Sequence, residues 1–124
     1  MRNNRFLGSI GEDLAKQYLI KQGYKIIEAN FSKRYGEIDL VAVDKDTLVF
    51  IEVKTRTSNQ FGTPLEAITP WKLQAVIRSA EYYKLTHKNL PDLMRIDAVS
   101  VLISSGANSI SEGSNALLYT ETSS

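Results

Sequence analysis

Gly36-Glu37-Ile38-Asp39-Leu40-Val41-Ala42-Val43 and Leu48-Val49-Phe50-Ile51-Glu52-Val53-Lys54-Thr55 are two apolar, β-branched runs. The polar, turn-prone Asp44-Lys45-Asp46-Thr47 separates them. The pattern predicts a β-hairpin. With Lys45-Asp46 as its loop, residues whose numbers sum to 91 face each other, so Asp39 stands opposite Glu52 and Glu37 opposite Lys54. Directly opposed Cβ atoms lie roughly 5 Å apart. Val41, Val43, Leu48 and Phe50 share the face of the charges, and Ile38, Leu40, Ala42, Val49, Ile51 and Val53 take the other. Such a hairpin is buried on both faces, with three acids and a lysine at one end. A slip of one residue would send one strand's charges to the opposite face.

Two carboxylates held together in a half-apolar place repel each other. A shared proton, a basic neighbour or a metal must compensate. Lys54 can neutralise one charge and still leaves a negative cluster. All-oxygen ligation suits Mg²⁺ or Mn²⁺. From the residues alone, a structural ion-pair cluster between strands explains the same pattern.

Gly36-Glu37-Ile38-Asp39-Leu40 followed by Val49-Phe50-Ile51-Glu52-Val53-Lys54-Thr55-Arg56 resembles the Asp…Glu-x-Lys signature of the PD-(D/E)XK nuclease superfamily. More narrowly, the chain resembles the YraN family of small bacterial proteins treated as endonucleases. The resemblance runs over roughly residues 8–103. It takes in Gly11-Glu12-Asp13-Leu14-Ala15, Phe61-Gly62-Thr63-Pro64, Thr69-Pro70-Trp71-Lys72, Ala80-Glu81-Tyr82-Tyr83 and Arg95-Ile96-Asp97, in that order. It implies a restriction endonuclease-like α/β sandwich with a central mixed sheet and the order αβββαβ. It also implies a metal-dependent nuclease cutting phosphodiester bonds in DNA, branched or repair-intermediate structures included. Asp39, Glu52 and the backbone carbonyl of Val53 are then the metal ligands for one or two Mg²⁺ or Mn²⁺ ions, with no organic cofactor. Lys54 holds the attacking hydroxide, protonated beside so many acids, and Glu12 and Glu37 ligate a second ion or orient water.

The chain has 124 residues, formal net charge +1, no Cys and one His. That length suits one domain with a real core. Disulfides and thiolate sites are excluded, and a zinc site is poorly served. No apolar run approaches the ~20 residues of a membrane span, and Met1-Arg2-Asn3-Asn4-Arg5 leads into no signal core. A cytoplasmic protein without membrane partners is expected. The charge is not that of a DNA-coating protein. Basic residues nevertheless gather near the acids, and Lys33, Arg34, Arg56, Lys72 and Arg78 are the candidate nucleic-acid contacts, against the ordinary reading of a solvated surface.

The periodicity of Ile10, Leu14 and Tyr18 predicts a first helix over 9–22, capped by Ser9 and stopped by Gly23. Glu12 then has capping-box spacing, which competes with its site role. Tyr24–Phe31 reads as a strand. Lys33-Arg34-Tyr35 is a basic turn able to grip phosphate or stack on a base. Residues 57–68 form a loop long enough to cover the site. Thr69-Pro70 opens a second helix with Leu73, Val76, Ile77, Ala80 and Tyr83 as its apolar stripe, ending near His87. Lys72 in its first turn opposes the helix dipole, which points to an external anion such as a phosphate. Arg95–Ile103 is a strand, and its Asp97 needs a basic partner if buried. Residues 1–103 make one domain. Residues 104–124 read as a Ser/Gly/Asn-rich tail in which 115–119 can dock as an edge strand. Two readings compete with catalysis: a non-catalytic nucleic-acid-binding or adaptor module on a nuclease fold, and a protein-interaction domain with structural carboxylates. A homodimer would suit a symmetric junction.

Overall fold

The two central runs form the hairpin in the register expected. The strands β2 (Gly36–Asp44) and β3 (Thr47–Arg56) pair antiparallel from Asp44–Thr47 to Leu40–Ile51, every pair summing to 91. Lys45 adopts a left-handed φ of 58° to close the turn without a glycine. The computed structural model describes residues 2–56, 69–103 and 116–123, with side chains for 8–55 and 69–102. The expected cover over the site, residues 57–68, lies outside the described residues.

Around the hairpin the order is α1 (Arg2–Lys21), β1 (Lys25–Lys33), β2, β3, α2 (Pro70–Thr86), β4 (Leu93–Ile103) and β5 (Ala116–Ser123). The five strands lie in chain order across one sheet. β1–β2, β2–β3 and β4–β5 are antiparallel; β3–β4 is parallel, with α2 between them in the chain. The expected αβββαβ core is present and carries one strand more. The last part of the tail pairs with β4 along its whole length, from Ile103–Ala116 to Ile96–Ser123.

One face of the sheet packs Leu40, Ala42, Val49, Ile51, Val99 and Val101 against Ala15 and Leu19 of α1. The opposite face packs Phe31, Ile38, Val41, Leu48 and Phe50 against Ala80 and Tyr83 of α2. The result is a three-layer α/β/α sandwich, which accounts for the nearly unbroken apolar runs of β2 and β3. Each fully buried aliphatic side chain contributes roughly 1.5–3 kcal/mol. A core of this size can carry a few ill-matched polar groups at its edge.

Two expectations are corrected. α1 begins seven residues before Ser9, because Phe6 extends the fourfold spacing of Ile10, Leu14 and Tyr18 back across Gly8. Glu12 is therefore interior to the helix and caps nothing. Ile38 belongs to the α2 face rather than to the face of Leu40. The cause is Asn30, whose φ of 57° is left-handed. It stands between the register pairs Ala29–Leu40 and Phe31–Ile38, opposite Asp39. A residue in that conformation breaks the two-residue alternation. Phe31 and Ile38 cross to the α2 side, and Asn30 and Asp39 mark the break.

Candidate active site at the open end of the hairpin

Beyond Leu40–Ile51 the β2–β3 ladder stops. The Val53 N–H donates to Asp39 Oδ2 at 2.8 Å, so a carboxylate replaces a backbone carbonyl where the strands part. Asp39 is mostly buried. Burial first, then the charge of Glu52, pushes its pKa up to about 7; the Val53 N–H opposes this, and Glu12 and Glu37 add to it.

Glu52 is only 6% exposed. Its Oε2 accepts from Lys72 Nζ at 2.8 Å, and its Oε1 has no hydrogen-bond partner. Lys72 reaches this point because Thr69 caps α2, accepting from the Lys72 N–H at 3.1 Å, with Pro70 in the first turn. The anion that the first-turn lysine called for is thus supplied from inside the protein. Burial works against the Lys72 charge, but Glu52 and Lys54 together raise its pKa.

Lys54 does not face Glu37 as the extrapolated register had it. Its amine lies against that of Lys72, and burial together with this like charge lowers its pKa, despite the pull of Glu52 and Asp39. Glu37 turns instead to Asn30. With its amide nitrogen towards the acids, Asn30 donates to Glu37 Oε2 and to Glu12 Oε1, each at 3.2 Å. Burial, then Glu37, raises the pKa of Glu12. α1 can bring Glu12 this near because it carries Gly11 on the adjoining turn. A Cβ on Gly11 would fall 1.8 Å from Thr55 Oγ1.

The sequence profile described as "Uncharacterised protein family UPF0102" matches residues 11–101. The chain belongs to that family. It is the family to which the YraN resemblance pointed. A UPF0102 protein of Syntrophomonas wolfei is 49% identical over 114 residues, covering 91% of this chain and 98% of that one. A second, from Caldanaerobacter subterraneus, is 45% identical over 82% of this chain and 83% of its own. A third, from Geobacter metallireducens, is 44% identical over 82% and 84% respectively. All seven residues of the cluster, Glu12, Asn30, Glu37, Asp39, Glu52, Lys54 and Lys72, lie within the matched span.

Lys33 ends β1, and Arg34 follows in the turn with φ 48°. The Arg34 guanidinium lies 5.6 Å from the Tyr35 ring centre and 6.0 Å from that of Tyr82. Arg78 is exposed on α2. The Arg56 backbone pairs with Leu102, and its side chain lies outside the described residues. Asp97 is fully buried and held by Arg95 in a separate network. His87 is a helix C-cap, stacked on Tyr83 with ring centres 3.8 Å apart. No helix among the described residues is long and apolar enough to cross a membrane.

Sequence reasoning missed Asn30 and the Lys72–Glu52 pair. Asn30 left one signal: asparagine is depleted inside strands and enriched in left-handed backbone.

Proposed function

We propose that this protein is a metal-dependent phosphodiesterase acting on nucleic acid, DNA first. The observation that carries the reading is the unmet negative charge where β2 and β3 part. Asp39 and Glu52 share a buried opening, Glu52 Oε1 is bare, and Asp39 is pushed up to about 7. A cluster closed on itself would leave no buried carboxylate oxygen without a partner.

Among the described residues no three acid or imidazole side chains stand together as a ready cage. That suits Mg²⁺ or Mn²⁺, which use one or two carboxylates and complete their shell with water and substrate phosphate. Asp39 and Glu52, with the Val53 carbonyl, would hold the ion. Bound there, a divalent cation polarises a phosphate oxygen and eases deprotonation of a water.

The two lysines divide the remaining work. Lys72, raised by Glu52 and Lys54 against burial, supplies fixed positive charge towards a phosphate oxygen. Lys54, beside Glu52 and Asp39, orients the attacking water and stabilises the charge that develops on the phosphate. Asn30 fixes Glu12 and Glu37 beside Asp39, where they orient further water.

The Lys72–Glu52 pair favours a second reading. If Lys72 satisfies the cluster permanently, the fold is a nucleic-acid-binding adaptor without turnover. The deciding experiment measures Mn²⁺ binding by calorimetry, then Mn²⁺- and Mg²⁺-dependent cleavage of labelled single strands, duplexes, flaps, four-way junctions and RNA. Asp39→Ala protein purified identically is the control. Wild-type-only cleavage is expected. Binding of nucleic acid with neither metal uptake nor cleavage would leave the adaptor.

A further inference from the structure

Trp71 is 86% exposed, in the first turn of α2, and adds nothing to either core. It lines a groove of about 570 Å³ with Tyr35, Lys72, Gln74, Ala75 and Arg78, between the β1–β2 turn and the outer side of α2. The groove adjoins a hollow of about 280 Å³ that shares Tyr35 and Arg78 and adds Glu81, Tyr82 and Leu85. Volumes and walls of this kind suit a small planar ligand.

We propose that this groove is a subsite for an unpaired nucleotide of a single-stranded segment, its base stacked on Trp71 and Tyr35 and its phosphates held by Arg34 and Arg78. This deepens the reading of the carboxylate cluster as a phosphodiesterase site, and rests on it for the direction of the strand.

Charge selects the occupant. Among the described lining residues of groove and hollow, Glu81 is the one acid and Lys72 and Arg78 are cations, with Arg34 over the Tyr35 and Tyr82 rings. Arg34 is held on an aromatic platform, ready for an anion. Tyr35 meets Tyr82 edge-on, ring centres 6.2 Å apart, which steadies the second ring. Gln74 offers both a donor and an acceptor to a base edge.

Geometry selects single strand over duplex. Rings in a groove reach only a base that has left its stack, and every base has a face to offer. The net charge of +1 is too small for binding by phosphate neutralisation alone. Stacking must supply the rest. Lys72 joins the two places: it lines the groove and holds Glu52. A nucleotide seated on Trp71 therefore leads its neighbouring phosphate to the carboxylates.

Trp71 is the only tryptophan, so its emission reports on this groove alone. The wild-type chain is titrated in EDTA, where cleavage is silent, with an eight-nucleotide oligothymidine, an abasic strand of equal phosphate number, and a blunt duplex. The oligothymidine should quench Trp71 and bind about 10-fold or more tightly than the abasic strand, as stacking of one base implies. By anisotropy of labelled strands, Trp71→Ala should lose that preference and Trp71→Phe keep most of it. Equal binding of abasic and base-bearing strands, quenching by duplex alone, or Trp71 shielded from acrylamide in the free protein would each overturn the subsite. Metal-dependent cleavage with no effect of Trp71→Ala would overturn the subsite and keep the phosphodiesterase. Trp71 quenching by single strand without metal uptake would keep the subsite and overturn the phosphodiesterase.

Discussion

Two buried charge clusters sit on this sheet, and they are built on opposite terms. Beside Ile51 in the sheet, Asp97 is fully enclosed and fully served. Arg95 donates to it through Nε at 3.0 Å and Nη2 at 3.2 Å, and the Tyr24 hydroxyl adds a third bond at 3.4 Å. Arg95 also reaches Asp44 at 3.2 Å and Tyr24 at 2.9 Å. Where β2 and β3 part, Asp39, Glu52, Glu37 and Glu12 have two lysines and one asparagine among them, and one buried carboxylate oxygen has nothing. Burial of acids alone therefore says little about function. What separates a strut from a site is whether the charge is closed within the protein or left open for something else.

The largest effect should come from opening the closed cluster. Arg95→Ala strands Asp97 in the core, which typically costs about 3–5 kcal/mol. Urea denaturation should show that loss, and Mn²⁺ affinity of the folded fraction should be unchanged. A drop in Mn²⁺ affinity would mean that the two clusters are one system.

Removing charge from the open cluster should do the reverse. Asp39 holds its proton in the folded state to about pH 7 and releases it near 3.8 when unfolded. The folded chain therefore binds more protons than the unfolded one between those values, and stability falls as pH rises through that window. Asp39→Asn escapes this. It should match the wild type near pH 4, gain progressively up to pH 7, and stay ahead above it by about 2–4 kcal/mol in EDTA. The same variant should lose Mn²⁺ binding. Parallel stability curves from pH 4 to 8 would show that Asp39 carries no such strain.

Lys72→Ala tests the compensation directly. It leaves Glu52 buried without a cation and should cost about 1–3 kcal/mol in EDTA. Mn²⁺ should restore most of that loss by mass action. No divalent cation should rescue Arg95→Ala. A Lys72→Ala protein that Mn²⁺ fails to stabilise would sink the view that metal and lysine answer the same need.

The hairpin register, the faces of its core up to Leu40, the capped second helix and the acids themselves were legible because each follows from short-range rules. Strand period, turn composition and the Thr-Pro helix start need no knowledge of distant contacts. What was not legible depends on groups far apart in sequence. Glu37 was extrapolated to Lys54 as if the ladder ran on, but Val53 N–H takes the Asp39 carboxylate and the ladder ends. Lys54 was read beside acids alone; burial, and a lysine 18 positions away in the chain, lower its pKa against their pull. β5 was legible in part: 115–119 read as an edge strand able to dock, but its extension to Ser123 follows the free edge of β4 rather than its own modest apolar content.

The smallest predicted effect bears on how the open cluster is held open. Asn30 does two things: its backbone takes φ 57°, and its amide ties Glu12 to Glu37. Asn30→Gly keeps the first and removes the second. Asn30→Ala removes both, since alanine lacks the short polar side chain that lets asparagine tolerate left-handed backbone, a conformation that costs it roughly 1 kcal/mol. Thermal denaturation in EDTA should therefore rank wild type and Asn30→Gly within about 1 kcal/mol, with Asn30→Ala about 1 kcal/mol lower still. Mn²⁺ affinity should fall modestly and equally in both, because both lose the amide. If Asn30→Gly instead binds Mn²⁺ as the wild type does, Glu12 and Glu37 stand clear of the ion, and the site rests on Asp39 and Glu52 alone. If Asn30→Ala is as stable as Asn30→Gly, the break in alternation belongs to Asp39 and the parting strands, with Asn30 following rather than causing it.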